Sequence, residues 1–92
     1  MSDKKLDIAL NIEFEKAVSR VNAHTEPFPA DTLLKLYAYY KKATNDYGRP
    51  RSREPIINAF KTNALFQAKK ISEEEAKRMY IDLVNNYFLY RK

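Results

Sequence analysis

One glycine in 92 residues constrains this chain more than any other feature. Antiparallel hairpins close through turns whose central residues take positive φ, and glycine supplies that most readily. A β-rich fold of this length would need several such turns. The sequence therefore points to helices joined by short connectors. Its 45% hydrophobic content is that of an ordinary globular chain, and 92 residues are enough for one domain around one core. We expect residues 1–92 to form a single domain, with 1–5 polar and frayed.

Four segments carry apolar residues at helical steps. In the first, Leu6, Leu10, Phe14, Ala17, Val18 and Val21 predict a helix over Asp3–Ala23, with Ile8 and Ile12 widening its apolar side. His24 to Pro29 reads as a connector, because Pro27 and Pro29 disfavour helix at the residues before them. Asp31 or Thr32 would cap a second helix bearing Leu33, Leu34, Leu36, Tyr37, Tyr40 and Ala43, which should stop near Asn45 or Asp46. Asn45 to Arg53, with the glycine, a proline and three arginines, reads as a loop. Pro55 suits the first position of a third helix, where a missing N–H costs nothing. That helix carries Ile56, Ile57, Phe60, Ala64 and Leu65 and should end around Lys69 and Lys70. Ser72 with Glu75 is a capping box and the clearest helix start in the chain. Ala76, Met79, Tyr80, Leu83, Val84 and Tyr87 follow it as a strong helical stripe. Phe88 and Tyr90 extend beyond that stripe, either packed back on the first helix or exposed. The fold class expected is all-α, a small four-helix bundle.

Several kinds of chemistry are poorly served. With no cysteine there is no disulfide, thiolate metal site or Cys nucleophile. A single glycine cannot build a Gly-rich phosphate loop. His24 stands alone in a connector and reads as a solvated surface histidine, not a triad member or zinc ligand. Glu73, Glu74 and Glu75 lie at a helix start, where capping and dipole roles outweigh catalysis or metal binding. We expect no enzyme, no catalytic residue, no metal and no cofactor. Seventeen Lys+Arg against twelve acidic residues give +5, which favours anionic partners without choosing among nucleic acid, phosphorylated metabolites and an anionic membrane. We expect no signal peptide and no membrane insertion, and a cytoplasmic monomer.

The most distinctive stretch is Lys35 to Thr44, with three tyrosines and three lysines in ten residues. On a helix Tyr37, Tyr40, Lys41 and Thr44 fall at i, i+3, i+4 and i+7 and share a face. Rings, hydroxyl donors and an ammonium group together suit an anionic ligand with a flat ring system. The plainer reading makes Tyr37 and Tyr40 core-edge residues and leaves the lysines solvated.

These residues, with the last helix, resemble the acyl-CoA-binding protein family. Tyr37, Tyr40, Lys41, Ala43 and Thr44 match its Tyr-x-x-Tyr-Lys-x-Ala-Thr signature. Ser72, Glu74, Glu75 and Ala76, then Tyr80, Ile81 and Val84, match the start and body of its last helix. Phe14 and Ala17 match its first-helix Phe-x-x-Ala pattern. The likeness runs from about Phe14 to Val84. It implies noncovalent binding of long-chain fatty acyl-CoA thioesters by an intracellular carrier or pool former. It further implies that Tyr37, Lys41 and Lys61 contact the phosphates of the CoA head group. Tyr40 would lie against the adenine, and Tyr80 would close the nucleotide side. The acyl groove would run near Ala17, Val18, Leu33 and Leu34. The chain departs from the family pattern in its third helix, where Thr62 and Leu65 replace two tryptophans, and at Asn22, where many members carry lysine. Arg20 or Arg51 would be the candidates to replace that lysine.

Two other classes compete. A ligand-free helical protein-interaction module fits the missing tryptophans and Asn22. A basic nucleic-acid-binding module would use Lys35, Lys41, Lys42, Arg49, Arg51, Arg53, Lys61, Lys69 and Lys70 on phosphates, although the basic residues are interleaved with acidic ones and no recognition-helix motif stands out.

Overall fold

The structure is a computed structural model that describes residues 2–46 and 55–89. Most of the expected loop (residues 47–53, with Arg51), Tyr90 and the side chains of Leu6, Ile56 and Ile57 lie outside the described residues.

Four helices are described: α1 (Ser2–Ala23), α2 (Ala30–Ala43), α3 (Pro55–Ala68) and α4 (Glu73–Leu89). The all-α expectation holds, and each helix lies within about three residues of its expected limits, the largest departures being the start and the end of α2. α4 starts as the sequence indicates: the Glu75 amide donates to Ser72 Oγ at 3.0 Å. α2 does not. It begins at Ala30, after Pro29 at the N-cap, with no side-chain cap. Pro29 fixes its own φ near −55° with ψ 148°, and its carbonyl accepts the first helical bond from the Leu33 amide at 2.9 Å. Asp31 therefore sits inside the first turn, where its carboxylate receives the Thr32 amide at 3.0 Å and complements the dipole.

The core is Phe14 and Ala17 from α1, Leu36 and Ala43 from α2, and Ala76, Tyr80 and Val84 from α4. Ala76 is fully buried. None of the described side chains of α3 belongs to that cluster. α3 packs on α2, where Ala38 and Ala68 are buried on the two helices of the pair. α4 and α2 thus form the centre, with α1 on α4 and α3 on α2.

His24 corrects the expectation of a lone surface histidine. Its ring lies 4.9 Å from Phe28, 5.0 Å from Phe88 and 5.7 Å from Tyr87, centre to centre. This second apolar cluster fastens the α1–α2 connector to the end of α4, and it is where Phe88 packs back on α1: the Arg20 guanidinium lies 4.5 Å over the Phe88 ring.

Candidate functional site

The Tyr/Lys face predicted on α2 exists, and it is divided. Tyr37 turns towards α3 and Tyr40 towards α1 and α4. The two positions differ by three residues, about 60° around the helix, so neighbouring rings can serve different seams.

On the α3 side, two ammonium groups flank one ring. Lys61 Nζ is 5.1 Å and Lys41 Nζ 5.6 Å from the centre of the Tyr37 ring. Both distances are within cation–π range. Lys41 pairs with Asp46 at 3.1 Å, and Lys61 forms no ion pair among the described residues. The hydroxyl of the same ring is buried with no hydrogen-bond partner. A buried, unsatisfied hydroxyl is costly. Next to two cations, it is a donor prepared for an anionic acceptor.

On the other side, three rings stack outwards from the core. Tyr80 meets Phe14 edge-on at 5.1 Å, and Phe14 lies nearly parallel to Tyr40 at 6.0 Å and 23°. Tyr40 and Tyr80 are 6.3 Å apart. Phe14 and Tyr80 are buried, whereas Tyr40 is 41% exposed. Tyr40 is therefore an outward-facing aromatic surface backed by two fixed rings, suited to a planar base. Burial, aided by the neighbouring Tyr40, pushes the Tyr80 hydroxyl up to about 12.

The four positions assigned to an acyl groove differ in placement. Ala17 belongs to the core, Val18 packs against it and Leu34 is half-buried. Leu33 is 47% exposed, and Phe60 on α3 is 54% exposed, so apolar surface is uncovered on both helices of the α2–α3 pair. At the two tryptophan-replacement positions, Thr62 is exposed and Leu65 half-buried. Arg20, a candidate to replace the lysine missing at Asn22, is engaged with α4. Its guanidinium covers Phe88 and donates to Asn85 Oδ1 at 3.1 Å, which commits it to α4. A further concavity of about 740 Å³ lies along α1 beside Ile8, Asn11, Ile12 and Glu15, and includes none of the Tyr37 or Tyr40 set. Among the described residues no His, Cys, Asp or Glu side chains gather in a group that could hold a metal, and no helix is long and apolar enough to cross a membrane.

The sequence reading missed the orphaned Tyr37 hydroxyl and the Lys41–Asp46 pair. The five-residue spacing was visible, but the pairing depends on how α2 ends, and the hydroxyl's burial depends on α3.

Comparison with known proteins bears on the family and the fold. The family described as Acyl CoA binding protein matches residues 11–84. The crystal structure of Oryza sativa Acyl-CoA-Binding Protein 2 is similar, with a TM-score of 0.74 and 28% sequence identity, over 87% of this chain and 89% of that one.

Proposed function

The chain belongs to the acyl-CoA-binding protein family, and from that premise we propose that it binds long-chain fatty acyl-CoA thioesters noncovalently, as a carrier or pool former and not as an enzyme. The observation that carries this reading is the Tyr37 hydroxyl, buried and unpartnered on a ring whose centre lies within 5.6 Å of the Lys41 ammonium and 5.1 Å of the Lys61 ammonium. A phosphate oxygen there would satisfy the donor and neutralise the cations in one step. Tyr40 would then hold the adenine face, with Tyr80 behind it as a neutral hydroxyl at the closed end of the nucleotide side. Leu33, Leu34, Val18 and Ala17 are assigned to the acyl side, with Leu33 offering the most open surface.

The magnitudes favour a two-part site. Each buried CH₂ contributes ~0.8 kcal/mol, so a long acyl chain supplies on the order of 10 kcal/mol before costs. Association and ordering cancel much of this. Charge-assisted hydrogen bonds of ~1.5–3 kcal/mol each then separate an acyl-CoA from a free fatty acid.

The direct test is NMR. Adding palmitoyl-CoA to isotope-labelled protein should shift the ring signals of Tyr37 and Tyr40 and the side-chain ammonium of Lys61. Shifts confined to the His24–Phe28–Phe88 cluster, or none, would contradict the assignment.

A further inference from the structure

Asp46 lies where it does because of how α2 ends. Asn45 takes the left-handed backbone conformation, φ 57°, a region asparagine tolerates better than most residues. Its amide donates to the Lys42 carbonyl at 3.2 Å, and the Asp46 amide donates to the Lys41 carbonyl at 2.9 Å. These two bonds are the Schellman ending of a helix, with Thr44 as the last half-helical residue. The motif folds the residue at the Asp46 position back beside the one at the Lys41 position. That contact is frequently apolar. Here it is an ion pair, with the carboxylate 3.1 Å from the ammonium. The Lys41 side chain is 19% exposed and that of Asp46 53%.

We propose that Asp46 is a built-in competitor for the ligand's phosphates, setting the head-group affinity below what the two lysines alone would give. The idea deepens the acyl-CoA reading above and rests on it. A phosphate drawn to Lys41 must approach the atom that Asp46 already occupies. Whether the carboxylate stays or swings towards water, binding is opposed, by repulsion in the first case and by loss of the pair in the second. The two cations are thereby unequal. Lys61 attracts the anion without a local counter-charge among the described residues, and Lys41 attracts it against one. A carrier that must give up its cargo gains from such a restraint, because weaker head-group binding is chiefly faster release.

Asp46→Asn tests this, because it removes the charge and keeps the size of the side chain. Palmitoyl-CoA and free CoA are titrated into wild type, Asp46→Asn and Asp46→Glu at low and at high ionic strength. At low salt Asp46→Asn should bind both ligands roughly three- to tenfold more tightly. The gain should shrink at high salt, and Asp46→Glu should return towards wild type. Equal or weaker binding by Asp46→Asn overturns the proposal, weaker binding meaning that the carboxylate only positions Lys41. A gain that persists unchanged at high salt also overturns it. A wild type that ignores palmitoyl-CoA overturns the acyl-CoA reading and this one with it, so the wild-type trace separates the two failures.

Discussion

The Lys61 ammonium of α3 lies 5.1 Å from the centre of the Tyr37 ring on α2, and the hydroxyl of that ring is buried without a hydrogen-bond partner. Stability and binding should therefore respond in opposite directions at Tyr37. Tyr37→Phe removes an unsatisfied polar atom while keeping the ring. The ligand-free protein should be unchanged or more stable, by up to about 1 kcal/mol in urea denaturation. Palmitoyl-CoA binding should weaken by about ten- to a hundredfold, the value of a hydrogen bond to a charged acceptor. A variant that loses stability while binding normally would show that the hydroxyl has a structural partner.

Lys61 should matter to ligand and little to fold. Among the described residues it has no ion pair, and Tyr37 is its one aromatic contact. Lys61→Ala should leave urea-denaturation stability within about 1 kcal/mol of wild type. It should weaken palmitoyl-CoA binding tenfold or more by calorimetry, with palmitate unaffected.

The stacked pair Phe14 and Tyr40 should separate core from site. Phe14 is 4% exposed, so Phe14→Ala should cost about 3–5 kcal/mol, a large share of a small domain's stability. Tyr40 is 41% exposed. Tyr40→Ala should stay folded and lose about 1–3 kcal/mol of binding to the nucleotide end, the usual value of a base–aromatic stack. Thermal melts and titrations with free CoA read the two effects separately.

Tyr80 predicts a pH dependence. Its hydroxyl is pushed up to about 12 by burial and by Tyr40, against an unfolded value near 10. Folding therefore favours the protonated form. The associated stability is complete below about pH 10 and is lost as pH rises through about 12. Urea denaturation at rising pH should show wild type losing more stability across that window than Tyr80→Phe, which has no proton to release. Parallel curves would contradict the shift.

The four helices were legible because their signals are local. The α4 stripe from Ala76 to Tyr87 and the Ser72 cap need only neighbouring residues. The start of α2 was misread because Asp31 is a good capping residue, but Pro29 had already fixed the chain direction two residues earlier. His24 was misread because its partners Tyr87 and Phe88 are more than sixty residues away in sequence and reach it only when α4 packs against α1. The candidate site divides in the same way. The Tyr37, Tyr40 and Lys41 spacing was visible on one helix, and Lys61 and Tyr80 were named through family likeness. That Tyr37 faces α3 while Tyr40 faces α4 depends on which helix covers each side, and no period within α2 encodes that.

The most direct test of the account is a calorimetric titration of the wild-type protein with palmitoyl-CoA, with free CoA and palmitate as controls and acyl-CoAs of shorter chain for comparison. A two-part site predicts tight binding of palmitoyl-CoA, much weaker binding of either half alone, and affinity that falls as the chain shortens. No heat and no competition from any acyl-CoA, by protein shown to be folded, would contradict it and leave the Tyr37 hydroxyl without a ligand.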